Sequence, residues 1–160
     1  MSGQGVAFDL TPSRPLNLAH AAAAIIKAAD GRYLLQHRDA ISTIFYPDRW
    51  GCFGGALESG ETPFDALRRE LLEELCLDID GLSVQRFGEF NFCIDAVSMV
   101  MLRRYYYEIN IDQQAMGELR LDEGSEMALV EPHDALHVLN LVPYDAFVLF
   151  LHRHQAMLSV

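Results

Sequence analysis

The chain is poor in lysine, tryptophan and cysteine, and it has no long apolar run. Lys27 is the only lysine, so the 12 Lys+Arg are almost all Arg, set against 23 Asp+Glu. A net charge of −11 excludes the basic face that nucleic-acid polymers and anionic membranes require. The planar fork of Arg still suits a small phosphate or carboxylate. Cys52, Cys76 and Cys93 are odd in number and form no CxxC, which argues against a disulfide framework and for inert, reduced core thiols. No apolar stretch approaches the ~20 residues of a membrane span. The start, MSGQGVAFDLTPSRP, lacks the basic and apolar regions of a signal peptide. The expected compartment is the cytoplasm.

What is present is a globular composition. The 160 residues suit one domain, and 51% hydrophobic content with nine Phe and six Tyr is enough for a core. Residues 1–18, with Gly3, Gly5, Pro12 and Pro15, read as an irregular arm with a short strand near Val6–Leu10. His20–Ala29 has helical propensity but runs into Asp30-Gly31 and a second apolar run, so it is expected to form a hairpin of two strands. Asp39–Pro47 reads as a loop, and Trp50–Leu57 as a strand with a glycine turn. Thr62 and Pro63 signal the start of a helix that runs to about Cys76. Leu82–Asp95, Met99–Ile111 and Met127–Val130 read as strands. Pro143–Met157 reads as a helix with Phe147, Val148 and Leu151 on its apolar stripe. The fold class is α/β (α+β), a mixed sheet with helices packed on it.

The informative segment is Gly54–Leu77, GGALESGETPFDALRRELLEELCL. On a helical wheel Phe64, Leu67, Leu71 and Leu75 share an arc of about 80°, and Glu70, Glu73 and Glu74 an adjacent arc of about 100°. An acidic stripe is by default a solvated face. Here the carboxylates stand at i, i+3 and i+4 with no evident neutralising partner, each pair costing roughly 3 kcal/mol before screening. Glu74 also sits in the last turn, where the helix dipole opposes an anion. Such a cluster suits a hard cation, Mg²⁺ or Mn²⁺.

These residues resemble the Nudix box, G-x5-E-x7-R-E-U-x-E-E-x-G-U with U aliphatic. The match runs through Gly55, Glu61, Arg69-Glu70-Leu71, Glu73-Glu74 and Leu77, with Cys76 in place of the last Gly. The resemblance spans residues 18–157, although only the box is specific. It implies an α/β/α sandwich around a mixed β-sheet, and Mg-dependent hydrolysis of a nucleoside diphosphate linked to another moiety. It implies metal binding by Glu70, Glu73 and Glu74 with the Gly55 carbonyl. Arg69 and Glu61 become a supporting ion pair or direct participants. It also turns Arg38 toward phosphates, the alternative being a surface Arg at the strand end, and a dimer is expected by family habit alone.

Phe53, with Trp50 and Tyr46, offers a stacking surface for a base, the alternative being a core position. Glu123 and Glu126, in Asp-Glu-Gly-Ser-Glu, are candidates for the general base and for substrate contact, the alternative being a surface turn. Arg103-Arg104 before three Tyr is discounted as a nucleic-acid patch, because strand alternation splits it. His152 and His154, two apart on a helix, do not face one metal. The partner is a small nucleotide. The rival reading is a Nudix-fold ligand sensor without catalysis. An isopentenyl diphosphate isomerase ranks below it, for want of a Cys-Ser-His-Pro segment. Cys76, where a helix stop favours Gly, is expected to hold a strained left-handed turn.

Overall fold

The computed structural model describes residues 19–95 and 100–158. The arm with its strand near Val6–Leu10 lies outside the described residues, as does Met99. The hairpin forms as expected: β1 (Ala21–Ala28) pairs antiparallel with β2 (Tyr33–His37). β1 is a strand despite its alanines because both its faces are buried. Ala22, Ala24 and Ile26 point to one core, and Ala23 and Ile25 to the other. Tertiary burial overrides helical propensity here.

The strands pair only near their turn, Ile26 with Leu34 and Lys27 with Tyr33. Where they diverge, the segment 50–57 passes between them. Its regular part, β3 (Trp50–Gly51), pairs with His37 and Gln36 of β2. Phe53 and Ala56 then bridge to Ala24 and Ala21 of β1. The expected strand is thus shorter than Trp50–Leu57, because Gly54 (φ +124°) turns the chain out of the ladder.

The helix α1 (Pro63–Leu75) starts where Thr62 accepts from Asp65 N–H at 3.2 Å. Leu67, Leu71 and Leu75 are fully buried, as expected, together with Ala66. Phe64 is not: it is 38% exposed, at the rim against Tyr107. The long pair β4 (Val84–Asp95) and β5 (Val100–Ile111) is antiparallel, and β5 runs parallel to β1. Two short helices, α2 (Gln113–Glu118) and α3 (Pro132–His137), fall where the sequence reading assigned no element. Six residues are too few for a helical period to show in sequence. Between them β6 (Glu126–Val130) pairs with β2.

The last helix, α4 (Pro143–Leu158), buries Tyr144, Asp145, Val148, Leu149 and His152. The expected stripe was rotated: Phe147 is 48% exposed. The sheet order is β3-β2-β1-β5-β4, with β6 on β2. Helix α1 closes one face and α4 the other, so the fold is the α/β/α sandwich around a mixed sheet. No helix among the described residues is long and apolar enough to cross a membrane. The expectation of buried thiols holds only for Cys52; Cys76 and Cys93 are exposed.

Candidate functional site

The site is built where the segment 50–57 meets α1. The Gly54 N–H donates to Glu74 Oε2 at 2.8 Å. A Cβ on Gly54 would overlap the Ala22 carbonyl, so only Gly lets the chain lie this close. Gly55 continues the turn, and its carbonyl accepts from Ala22 N–H at 2.9 Å. A Cβ on Gly55 would occupy the space of the Glu70 carboxylate. The two glycines therefore form a cradle for two carboxylates of the helix.

Glu74 is 7% exposed, and Gln36 Nε2 donates to its Oε1 at 3.4 Å. Burial pushes its carboxyl up to about 8, aided by the charges of Glu70 and Glu123 and opposed by the Gly54 and Gln36 donors. Burial also raises Glu70, with Arg69 opposing and Glu73 and Glu123 reinforcing.

The sequence suggested unneutralised carboxylates. The structure corrects this, because Arg69 serves two of them, Glu70 and Glu73, and Glu61 besides. Its Nε and Nη2 donate to Glu61 at 3.0 Å each, and Nη1 to Glu70 Oε1 at 2.8 Å and Glu73 Oε2 at 3.3 Å. Nη2 also donates to the Ala56 carbonyl at 3.0 Å, which fastens the helix to the glycine segment. The bidentate Arg69 contact lowers the Glu61 pKa. One cation among these carboxylates leaves an excess of negative charge.

Glu123 joins them from a loop tied to the end of α1. Arg120 N–H donates to the Leu75 carbonyl at 3.0 Å and Asp122 N–H to the Glu74 carbonyl at 2.9 Å. Glu126 lies farther along the same segment, exposed and in register with His37. The left-handed turn expected at Cys76 is present, with φ 53° and ψ 27°. Its N–H returns to the Leu72 carbonyl at 3.1 Å, and its Sγ donates to Asp122 Oδ2 at 3.2 Å.

Among the described residues no three His, Cys, Asp or Glu side chains already stand together at ligand positions. Glu70 and Glu73 are held by Arg69, and Glu74 by Gly54 and Gln36. The donor set still fits a hard divalent cation. It is all carboxylate oxygen, it carries excess charge, and the Gly55 cradle leaves room at Glu70.

Beside the carboxylates lies an open cavity of about 230 Å³ that Gly54 and Gly55 also line. Arg38 and Arg104 border it. Arg38 thus shares a cavity with the two glycines of the box. The stacking role for Phe53 is overturned: the ring is 0% exposed, packed between the sheet and α1. Trp50 tilts against His37, and Tyr46 meets Tyr144 edge-on.

Gln36, Arg104 and Tyr144 were not anticipated here. Gln36 left one signal, a polar residue inside an apolar strand. Arg104 left none, because only pairing and packing turn it toward the cavity. Its guanidinium lies 4.1 Å over the Tyr144 ring, and its Nε donates to the Tyr106 hydroxyl at 3.3 Å. Burial disfavours its charge, but Tyr106, Tyr144 and Asp145 outweigh that and raise its pKa.

The family model described as NUDIX domain matches residues 17–150. The chain belongs to the NUDIX family. It is 36% identical over 86 residues to an uncharacterised Nudix hydrolase, all7351, of Nostoc sp., a match covering 52% of this chain and 51% of that protein. The chain thus spans about half the length of that curated relative. Solved NUDIX structures share the fold. The MutT protein from Methanosarcina mazei Go1 superposes with a TM-score of 0.66 at 18% identity, covering 91% of this chain and 100% of that one. The E. coli dihydroneopterin triphosphate pyrophosphohydrolase gives 0.63 at 18% identity, over 88% and 95% of the chains. The NUDIX domain of Shewanella oneidensis NrtR, complexed with ADP ribose, gives 0.68 at 15% identity, over 86% and 88%. At these identities the NUDIX likeness speaks for the fold.

Proposed function

We propose that this chain is a divalent-metal-dependent hydrolase that cleaves the pyrophosphate bond of a nucleoside diphosphate linked to another moiety. The carrying observation is the glycine cradle that gathers Glu70 and Glu74 beside Glu73, with Arg69 as the counter-charge shared by Glu70 and Glu73. Glu70, Glu73 and Glu74, with the Gly55 carbonyl, would hold Mg²⁺ or Mn²⁺. Such an ion, when bound, neutralises diphosphate oxygens and acidifies a water.

The remaining roles belong to the chain itself. Arg69 fixes the rotamers of Glu61, Glu70 and Glu73, so those carboxylates are set before substrate arrives. Glu123 accepts the proton of the attacking water at its carboxylate, because it is an exposed acid outside the helix whose charge acts on both Glu70 and Glu74. Arg38 offers its guanidinium to an anionic group of the substrate beside the glycine turn. Nucleotide sugars, ADP-ribose-like molecules and nucleoside triphosphates are the substrate classes, and a reducing compartment suits three cysteines that form no disulfide.

The test is a panel of those nucleotides with Mg²⁺, with Mn²⁺ and with EDTA, read by the products released. Glu74→Gln resembles the protonated acid, so the fold should persist while turnover falls at least ~10²-fold. Full turnover in EDTA or in Glu74→Gln would refute the metal site. Tight nucleotide binding without any product would identify a sensor instead.

A further inference from the structure

The cavity beside the carboxylates has the opposite charge. The chain carries a net −11, yet Arg38 and Arg104 line this cavity and no carboxylate does. Neither guanidinium has a carboxylate oxygen within the 4.0 Å of an ion pair, among the described residues. Arg38 uses Nε on the Phe45 carbonyl at 3.2 Å, and Arg104 uses Nε on Tyr106. The terminal nitrogens of both, the part of the fork that grips an oxyanion, have no hydrogen-bonded protein partner among the described residues.

The acid nearest in influence, Asp145, is already engaged. Its Oδ2 accepts from Cys52 N–H at 3.0 Å, and its Oδ1 from the Tyr106 hydroxyl at 2.6 Å. It supports the charge of Arg104 through space without closing a salt bridge. Leaving a half-buried guanidinium short of an anion costs free energy. The ring of Tyr144 holds that guanidinium in place, so little ordering remains when an anion binds.

Size narrows the occupant. The cavity holds about 230 Å³, below the ~300–1,000 Å³ of sites that enclose a whole small ligand. It takes one end of a molecule. Because Gly54 and Gly55 form a wall of both sites, a ligand with its diphosphate at the carboxylates can reach the guanidiniums with a neighbouring group.

We propose that Arg38 and Arg104 form an oxyanion subsite, so that the preferred substrate carries a phosphate or carboxylate in addition to the scissile diphosphate. This rests on the hydrolase reading above for its place in turnover, but binding tests it separately.

Two matched pairs isolate the added anion. Coenzyme A and dephospho-coenzyme A differ by one phosphate. UDP-glucuronate and UDP-glucose differ by one carboxylate. Each compound is measured for kcat/KM with Mg²⁺ and for Kd by calorimetry in EDTA. In at least one pair the anionic member should be favoured about tenfold or more in Kd, about 1.4 kcal/mol. Which pair shows it tells phosphate from carboxylate. Arg38→Gln and Arg104→Leu should each reduce the preference severalfold, through KM where turnover is seen. Should Arg104→Leu fail to fold, Arg38→Gln decides. Equal or undetectable binding of both members in both pairs overturns the subsite, and so does a preference unchanged in Arg38→Gln. Turnover without preference sinks the subsite alone. Preferential binding that needs the two arginines, with no turnover on any compound, sustains the subsite and sinks the hydrolase reading.

Discussion

Replacing Cys76 by Gly should stabilise the protein, although it removes a side chain and a hydrogen bond. Cys76 is the single left-handed residue that ends α1, at φ 53° and ψ 27°. A side chain with Cβ in that conformation costs ~1–2 kcal/mol, which Gly avoids. Against this, Gly adds ~0.5–1 kcal/mol of unfolded-chain entropy. The lost Sγ–Asp122 bond is exposed and comes from a weak donor, worth roughly 0.3 kcal/mol. The net is about 0.5 kcal/mol in favour of Gly. For a domain of this size that is a rise of ~1–2 °C in Tm, or ~0.2–0.3 M in urea midpoint at unchanged slope. The assay is equilibrium urea unfolding of parent and Cys76→Gly in reductant, followed by thermal melts. Turnover should change little, because the backbone bonds of Arg120 and Asp122 to the helix end persist without the thiol. A lower midpoint in Cys76→Gly refutes the strained-turn reasoning. A large loss of turnover would show that the thiol does more than hold Asp122.

The two glycines of the cradle should separate stability from function. In Gly55→Ala the nearest atoms to the new Cβ belong to the movable end of Glu70, so urea melts should shift by less than ~1 kcal/mol while turnover falls ~10²-fold. In Gly54→Ala it meets the Ala22 backbone at φ +124°, and the fold should lose ~3 kcal/mol or more; similar stability losses in both variants would contradict the cradle. Burial raises the Glu108 carboxyl, but hydrogen bonds from Lys27, His152 and Asn110 outweigh it and hold the group at about 2, below the ordinary 4.5. Its stabilisation is therefore complete above the unfolded value and is lost as pH falls from about 5 toward 2. After screening it amounts to ~1–2 kcal/mol, so Glu108→Gln should be weaker than the parent at pH 7 and converge with it in acid. Parallel pH–stability curves for the two proteins would refute this.

The sequence alone determined what local chemistry determines. Thr62-Pro63 started α1, Asp30-Gly31 closed the hairpin, and the spacing of Glu70, Glu73 and Glu74 put three carboxylates on one helical arc. The box marked the family because its glycines, arginine and glutamates act within a single strand–turn–helix unit. Even the departure at Cys76 was legible, since helix stops obey local sterics. Tertiary structure alone decided the rest. It split the hairpin to admit residues 50–57, which buried Phe53 and took it from the ligand side. It set Arg69 among Glu61, Glu70 and Glu73. It brought Glu123 from a loop about fifty residues away, through two backbone bonds to the end of α1. It also turned Arg104, one of an arginine pair discounted as a nucleic-acid patch, into the wall of a cavity, against a ring from α4. A helical period or a cap is written within a few neighbouring residues. Which charges share a cavity depends on strand order and helix packing, and no stretch of neighbouring residues contains those.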